Sequence, residues 1–350
     1  MPRSRKQSRR NVLIARFSAL GDIAMTIPVV YNACAANPDM DFYFLTRRHP
    51  ASMFINPPAN LTPVPVDTYD YKGIGGMFRL AGELRRRYHI DLFLDLHDVL
   101  RTRVLGLALW LAGVKVRRIR KGRAEKRALT RHKDKVLVQL TPTIRRYRNV
   151  FDRAMIPNTE DFHSLFGSGK GPVEAFSAVS GPKGTEEKWL AVAPFARHAG
   201  KIYPLEQMRK VVDHYAARPE WKVFILGFGP EETAEIDRLA DGRPNVVNMA
   251  RARLGIGAEL SLLSHCDVML SMDSANMHMA SLVGLRAVTV WGATHPYTGF
   301  MGWNQDLADV AQIELGCRPC SVFGNKPCKR GDYQCLNGIP PQMIISKIGE

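Results

Sequence analysis

Short apolar runs alternate with longer segments of helical spacing along nearly the whole chain. Residues 11–16, 41–45, 90–96, 188–194, 222–226, 268–270 and 288–290 are largely apolar without a two-residue alternation. That is the pattern of strands covered on both faces of a parallel sheet. Residues 245–249 add a further short strand, and segments 23–36, 73–88, 141–155 and 257–265 predict helices. Pro28 fits the first of these only near its first turn. Residues 104–114 are the longest apolar stretch, too short to cross a bilayer, and predict a buried core helix. Residues 56–65 hold four prolines and predict a connector. Residues 157–187, rich in Gly, Ser, Pro and Lys, predict the linker between two halves. The expectation is an α/β protein with domains at 1–175 and 176–350.

Polar residues gather where predicted strands end. After the first strand, Gly21 permits a tight turn and Asp22 opens the next helix. Asp22 serves there either as a simple N-cap or as a carboxylate able to take a proton from a hydroxyl. Residues 267–294 read as strand, turn, short helix, strand, with Asp273 or Ser274 as the cap. A helix start at the carboxyl end of a parallel strand suits a phosphate, and His278 lies one turn further on the same face as Ser274. Capping by Asp273 and packing by His278 account for the same residues without a ligand. Arg197 and Lys201, on the loop after residues 188–194, can neutralise a diphosphate without a metal. Gly227-Phe228-Gly229-Pro230 lacks the third glycine of a dinucleotide fingerprint, and the acidic pair Glu231 and Glu232 can meet a ribose or complement the helix dipole.

These residues carry a resemblance. Met272-Asp273-Ser274-Ala275-Asn276-Met277-His278-Met279-Ala280 with Trp291-Gly292-Ala293-Thr294-His295-Pro296 resembles the signature of glycosyltransferase family 9, the bacterial heptosyltransferases of the lipopolysaccharide inner core. Ser274, Ala275 and Trp291 stand where the family has Thr, Gly and Phe. Arg16-Phe17-Ser18-Ala19-Leu20-Gly21-Asp22, with Pro28 six residues beyond the Asp, is similar to the family's opening motif. The loop from Pro194 to Pro204 resembles the family's Pro-Gly-Ala-x-x-x-Lys-x-Trp-Pro, with Phe195 and Tyr203 as departures. The segment from Asp95 to Thr102 resembles a family stretch lining the acceptor pocket.

The resemblance implies a GT-B type fold, two facing Rossmann-like domains with a cleft between them, over residues 11–345. It implies an inverting, metal-independent transfer of a heptose or related sugar from ADP-heptose, or a similar nucleotide sugar, to a lipid A–Kdo acceptor. Asp22 would be the base. Lys201, Arg197, Asp273, Ser274, Ala275, Asn276, His278 and Glu232 would hold the donor, and Ser18, Arg47, His97, Arg101 and Thr102 the acceptor.

Net charge and cysteines extend this picture. A formal charge of +16 calls for a negatively charged partner. Residues 115–135 hold 11 Lys or Arg against two acidic residues, either a solvated face or an attachment surface for anionic lipid. The basic first ten residues are followed by a strand, not by a signal-peptide core, so the expectation is a cytoplasmic protein at the inner-membrane surface. Cys317, Cys320, Cys328 and Cys335, spaced C-x2-C-x7-C-x6-C, suit either a structural zinc or reduced, redox-labile thiols. Two competitors remain at this point. A basic nucleic-acid-binding protein lacks a recognisable reading element here, and an NAD-dependent oxidoreductase is disfavoured by the broken glycine pattern.

Overall fold

The computed structural model describes residues 9–349, so most of the basic N-terminal stretch lies outside the described residues. The chain forms two compact units. One holds the residues up to Lys121 together with Thr143–Leu165; the other holds Gly122–Pro142 and everything from Phe166 onward.

In the first unit, β1 (Arg10–Ala15), β2 (Met40–Arg47), β3 (Leu61–Val66), β4 (Leu92–Asp95) and β5 (Lys115–Arg118) make one parallel sheet in the order β3-β2-β1-β4-β5. Its helices are α1 (Leu20–Ala24), α2 (Thr26–Ala36), α3 (Arg48–Ala51), α4 (Gly73–Tyr88), α5 (Leu100–Leu111) and, after an excursion holding α6 (Arg123–Leu129), α7 (Thr143–Asp152). The central strand β1 is flanked on both sides, and Val12 to Ala15 are fully buried. The helix expected at 23–36 breaks at Met25 and restarts at Thr26, which puts Pro28 in a first turn, where its missing N–H costs nothing.

Two expectations are corrected. The proline-rich connector at 56–65 contains a strand: Pro63 and Pro65 lie in β3, which has a neighbour on one side only. An edge strand tolerates residues that cannot donate to a ladder. The apolar stretch at 104–114 is not wholly core. Leu105, Ala108 and Leu109 of α5 are buried, whereas Leu107, Trp110 and Leu111 face solvent.

The second unit carries β6 (Lys188–Ala193), β7 (Trp221–Ile225), β8 (Val246–Asn248), β9 (Val268–Met272), β10 (Ala287–Val290) and β11 (Val310–Ala311), parallel throughout, in the order β11-β10-β9-β6-β7-β8. Its helices beyond α6 are α8 (Leu205–Ala216), α9 (Gly229–Ala240), α10 (Met249–Ala252), α11 (Ile256–Leu263), α12 (Ala275–Leu282), α13 (Gln334–Asn337) and α14 (Pro341–Ile348). Apolar residues of β6, β7, β9 and β10 join α8 and α14 in one core.

The basic run at 115–135 is thereby divided. Lys115–Arg118 is strand β5 of the first unit, and α6 belongs to the second, anchored by fully buried Leu129. Lys126 stacks over the Phe300 ring at 4.5 Å, and Lys135 donates to the carbonyls of Cys317 and Pro319 at 2.7 and 3.1 Å.

Candidate active site

Each sheet reverses its strand order once, between β1 and β4 in the first unit and between β6 and β9 in the second. The crevice outside the carboxyl ends of strands at such a reversal is where open α/β sheets take ligands. Most of the site residues expected from the sequence fall at these two places.

In the first unit, β1 delivers Arg16 and Ser18, and α1 follows with Asp22. Arg16 is 6% exposed, its Nη2 lies 3.0 Å from Asp22 Oδ1, and another of its nitrogens donates to the Leu96 carbonyl. The Ala19 N–H donates to Asp22 Oδ2 at 3.3 Å, and the Tyr147 hydroxyl donates to Oδ1 at 3.4 Å. Tyr147 is fully buried, its hydroxyl pushed well above the usual range by burial, so it stays a proton donor. The Asp22 carboxylate is therefore held on one side by a buried cation, a phenol and a backbone amide, while its side chain remains 24% exposed. That is the arrangement of a positioned, part-exposed carboxylate, the kind of group that can accept a proton.

His97, after β4, shares this end of the sheet. The Phe17 N–H faces His97 Nδ1 at 3.4 Å, which puts the imidazole proton on Nε2, 3.4 Å from Ser18 Oγ. Burial, with the charges of Arg16 and Lys121 adding, pushes the His97 imidazole down to about 3, so the ring is neutral at physiological pH. Asp95, fully buried, fixes the loop by accepting from the N–H groups of His97 and Asp98 and from Arg118 Nε, at 3.0, 2.8 and 3.0 Å. Arg47 is exposed at the carboxyl end of β2, and Arg101 is half-buried in the first turn of α5. Thr102 is fully buried, and its hydroxyl is spent on the Val99 N–H and carbonyl that open α5.

In the second unit, the loop after β6 brings Lys201 against Asp273, at the end of β9. Nζ and Oδ2 are 2.8 Å apart, with the two side chains 16% and 5% exposed. Ser274 caps α12, its hydroxyl accepting from the Asn276 N–H at 3.3 Å and lying 3.3 Å from Ser271 Oγ. Ala275 and Asn276 form the first turn, half-buried, and His278 is 6% exposed on the same helix. Arg197 is exposed on the Lys201 loop. Glu232, in the first turns of α9, accepts from the Phe228 N–H at 2.7 Å and so fixes the glycine turn after β7. That turn leaves the Phe228 ring 88% exposed at the carboxyl edge of the sheet.

The C-terminal cysteine segment props this site. Gly324, at φ +74°, passes so close that an added Cβ would sit 2.7 Å from Lys201 Cγ. Arg318, 2% exposed, donates to the carbonyls of Trp291, Gly292 and Thr294 at 2.9, 2.6 and 3.0 Å, and so pins the loop after β10. The six cysteines are free thiols. Among the described residues no group of three or more His, Cys, Asp or Glu is arranged to hold a metal ion, so the thiols as placed do not assemble the zinc site considered from their spacing. Burial pushes the Cys335 thiol up to about 11.

Phe228 and Arg318 carry no role in the sequence reading; Arg16 and Tyr147 fall inside the opening motif and the 141–155 helix without a role of their own. Tyr147 lies 125 residues from Asp22 along the chain, which hides their contact. Phe228 does carry a signal, being the large apolar residue inside a glycine turn.

The model of the family described as Glycosyltransferase family 9 (heptosyltransferase) matches residues 77–329. Lipooligosaccharide heptosyltransferase 2 of Campylobacter jejuni subsp. jejuni serotype O:6 is 26% identical over 86 residues, 25% of this chain. That match spans 26% of the relative's own length, about a quarter. Among solved structures, the family 9 glycosyl transferase of Veillonella parvula superposes with a TM-score of 0.72 at 16% identity, covering 97% of this chain and 96% of that one. The E. coli heptosyltransferase WaaC with ADP gives 0.64 at 16% identity, covering 89% and 96%. At such identities the likeness establishes the shared fold, the GT-B type of α/β protein expected from the sequence.

Proposed function

This chain belongs to glycosyltransferase family 9, and from that premise we propose that it is an inverting transferase of a heptose, or a closely related sugar, from ADP-heptose to a lipopolysaccharide inner-core acceptor. The observation that carries the reading is the chemistry at the two strand-order reversals: a held, part-exposed carboxylate at one, and a Lys–Asp pair beside a capped helix start at the other. The ADP of the E. coli relative supports a nucleotide diphosphate sugar as donor.

In this reading the second unit binds the donor. Lys201, steadied by Asp273, and the first-turn amides of α12 face the diphosphate, with Ser274, Ala275, Asn276, His278 and Arg197 around them. Glu232 meets the ribose, and the exposed Phe228 ring stacks on the base. The first unit binds the acceptor, with Ser18, Arg47, neutral His97 and Arg101 as its polar contacts. Thr102 acts by holding the start of α5.

Asp22 takes the proton of the acceptor hydroxyl as its oxygen bonds to the anomeric carbon, from the face opposite the nucleotide. The bond from that carbon to the diphosphate oxygen breaks, and its electron pair leaves with ADP. Lys201 and the α12 amides stabilise the charge that grows on that oxygen, so the transfer proceeds without a catalytic metal. The acceptor is anionic and embedded in a bilayer, which places the work at the cytoplasmic surface of the inner membrane. No helix among the described residues is long and apolar enough to cross a membrane. The nucleic-acid and oxidoreductase readings are not favoured by family membership.

The test is transfer from a panel of nucleotide sugars to purified truncated core saccharide, read by product mass and anomeric configuration. Heptose addition with inversion from ADP-heptose is expected. Retention, or no product from any ADP-sugar, overturns the reading.

A further inference from the structure

Helices α4 and α5 pack side by side on one face of the first unit's sheet. Their buried stripes, Met77, Leu80 and Leu84 on one and Leu105, Ala108 and Leu109 on the other, share a core with Leu13, Leu45 and Phe93 of the strands. Their opposite stripes therefore point the same way, outward, and form one surface. A solvent layer built of helices is ordinarily polar. This one is mixed: Arg79 and Glu83 pair on α4 at 3.8 Å and Arg103 is half exposed on α5, but large apolar side chains stand exposed beside them.

Ile74 and Phe78 stand four apart on α4, 67% and 41% exposed. On α5, Leu100, Leu107, Trp110 and Leu111 follow one face, at 79%, 48%, 62% and 63% exposed. Arg85, Arg86 and Arg87 are also exposed, at the end of α4. Both helices run from the carboxyl edge of the sheet to its amino edge, because each joins parallel strands. The three arginines thus end at the same level as Trp110 and Leu111, and exposed Lys115 opens β5 there. The other end of the surface begins at Leu100, three residues past His97 and so directly beside the acceptor residues.

We infer that the outward face of α4 and α5 is a docking surface for an anionic phospholipid bilayer, on which the first unit lies with its acceptor edge at the rim. The inference rests on the glycolipid reading for the choice of occupant. Charge decides between that occupant and a second copy of the chain. Three arginines and a lysine stand at one end of the apolar stripe and Arg103 within it, in a chain of net charge +16, so two copies meeting here would oppose like charges. Lipid phosphates pair with those cations, while the Trp and Leu side chains enter the headgroup boundary, where an indole is well suited. From the sequence the 115–135 run is either a solvated face or a lipid contact; the inference puts the contact on the helices before that run.

The experiment is cosedimentation of the full chain with vesicles of phosphatidylethanolamine and phosphatidylglycerol, against vesicles of phosphatidylcholine alone. Wild type is expected to bind the anionic vesicles and not the neutral ones, with Trp fluorescence quenched by brominated lipid. Trp110→Ser with Leu111→Ser, at sites too exposed to threaten folding, is expected to weaken binding about tenfold or more. Arg85→Glu with Arg86→Glu should do the same. Both variants should keep wild-type melting and wild-type transfer to a water-soluble, lipid-free acceptor, so a loss confined to vesicles is not a failure of the transferase reading. No binding by wild type overturns the inference, as does binding untouched by the Trp110 and Leu111 changes. A wild-type dimer in sedimentation velocity that the same changes disperse also overturns it, and assigns the face to a second copy.

Discussion

Lys201→Met is the perturbation whose consequences the structure fixes most narrowly. It removes the ammonium 2.8 Å from Asp273 Oδ2 and leaves a carboxylate that is 4% exposed without its cation. Breaking one partner of a buried ion pair costs about 3–5 kcal/mol, because the remaining charge has lost both water and partner. In a unit of this size that lowers the melting transition by roughly 10 °C. The same change strips the diphosphate of the cation that meets its growing charge, a loss of about 10²–10³ in kcat for one stabilising group. The two effects separate in the double variant Lys201→Met with Asp273→Asn. Removing the orphaned charge should return stability to within about 1 kcal/mol of wild type. Turnover should stay at the level of the single variant, since the leaving group is still unmet. Melting by calorimetry and single-turnover transfer, measured on all four members of the cycle, read the two quantities independently. If the double variant recovers turnover along with stability, Lys201 is a structural partner of Asp273 and the assignment to the leaving group fails.

Three further outcomes follow from other parts of the site. Gly324→Ala forces a Cβ toward Lys201 Cγ at a φ of +74°, and should cost at least about 1 kcal/mol and roughly tenfold in kcat/KM for the donor, with the acceptor KM unchanged. Phe228→Ala should raise the donor KM up to about tenfold while leaving kcat and melting as they are, since the ring is 88% exposed. Unchanged donor affinity would remove it from the base site. Acid stability depends on His97 and His295, which burial holds down at about 3 and about 4, below the usual 6.5. The unfolded chain protonates them first, so their contribution is intact above pH 6.5 and is lost as pH falls toward 4 and below. For His295 the loss by pH 4 is about 3 kcal/mol. His295→Asn keeps an acceptor for the Tyr297 N–H and should flatten the urea midpoint between pH 6.5 and 4; an unchanged slope refutes the assignment.

The α/β class and most elements were legible because buried parallel strands and amphipathic helices write different periods into the chain. The helix over Gly73–Tyr88 matches its sequence reading residue for residue. What escaped did so for physical reasons. Strand β3 hides behind Pro63 and Pro65, which bar a central strand but not an edge. The outward Leu and Trp of α5 look like core in a sequence window, since apolarity alone does not say which face is covered. At the site, the loops after β1, β6 and β9 were visible as motifs, and the Lys201–Asp273 contact joins residues singled out from the last two. Arg16 and Tyr147 fall within recognised segments, but their role was not legible, because it comes from meeting Asp22 in space. The cysteine spacing suits either a metal or reduced thiols, and the segment's visible work is steric and hydrogen-bonded, through Gly324 beside Lys201 and Arg318 beneath the loop after β10.

The central claim is that the carboxylate gripped by Arg16 accepts the acceptor's proton, and Asp22→Asn tests it most directly. The amide keeps one oxygen, enough for the Tyr147 hydroxyl, but leaves buried Arg16 without its anion, so stability should fall by up to about 3–5 kcal/mol while ADP affinity by calorimetry should match wild type. Single-turnover transfer from ADP-heptose should fall by about 10²–10⁴, the share a general base supplies. Transfer within a few-fold of wild type, with the nucleotide bound as before, would contradict the account.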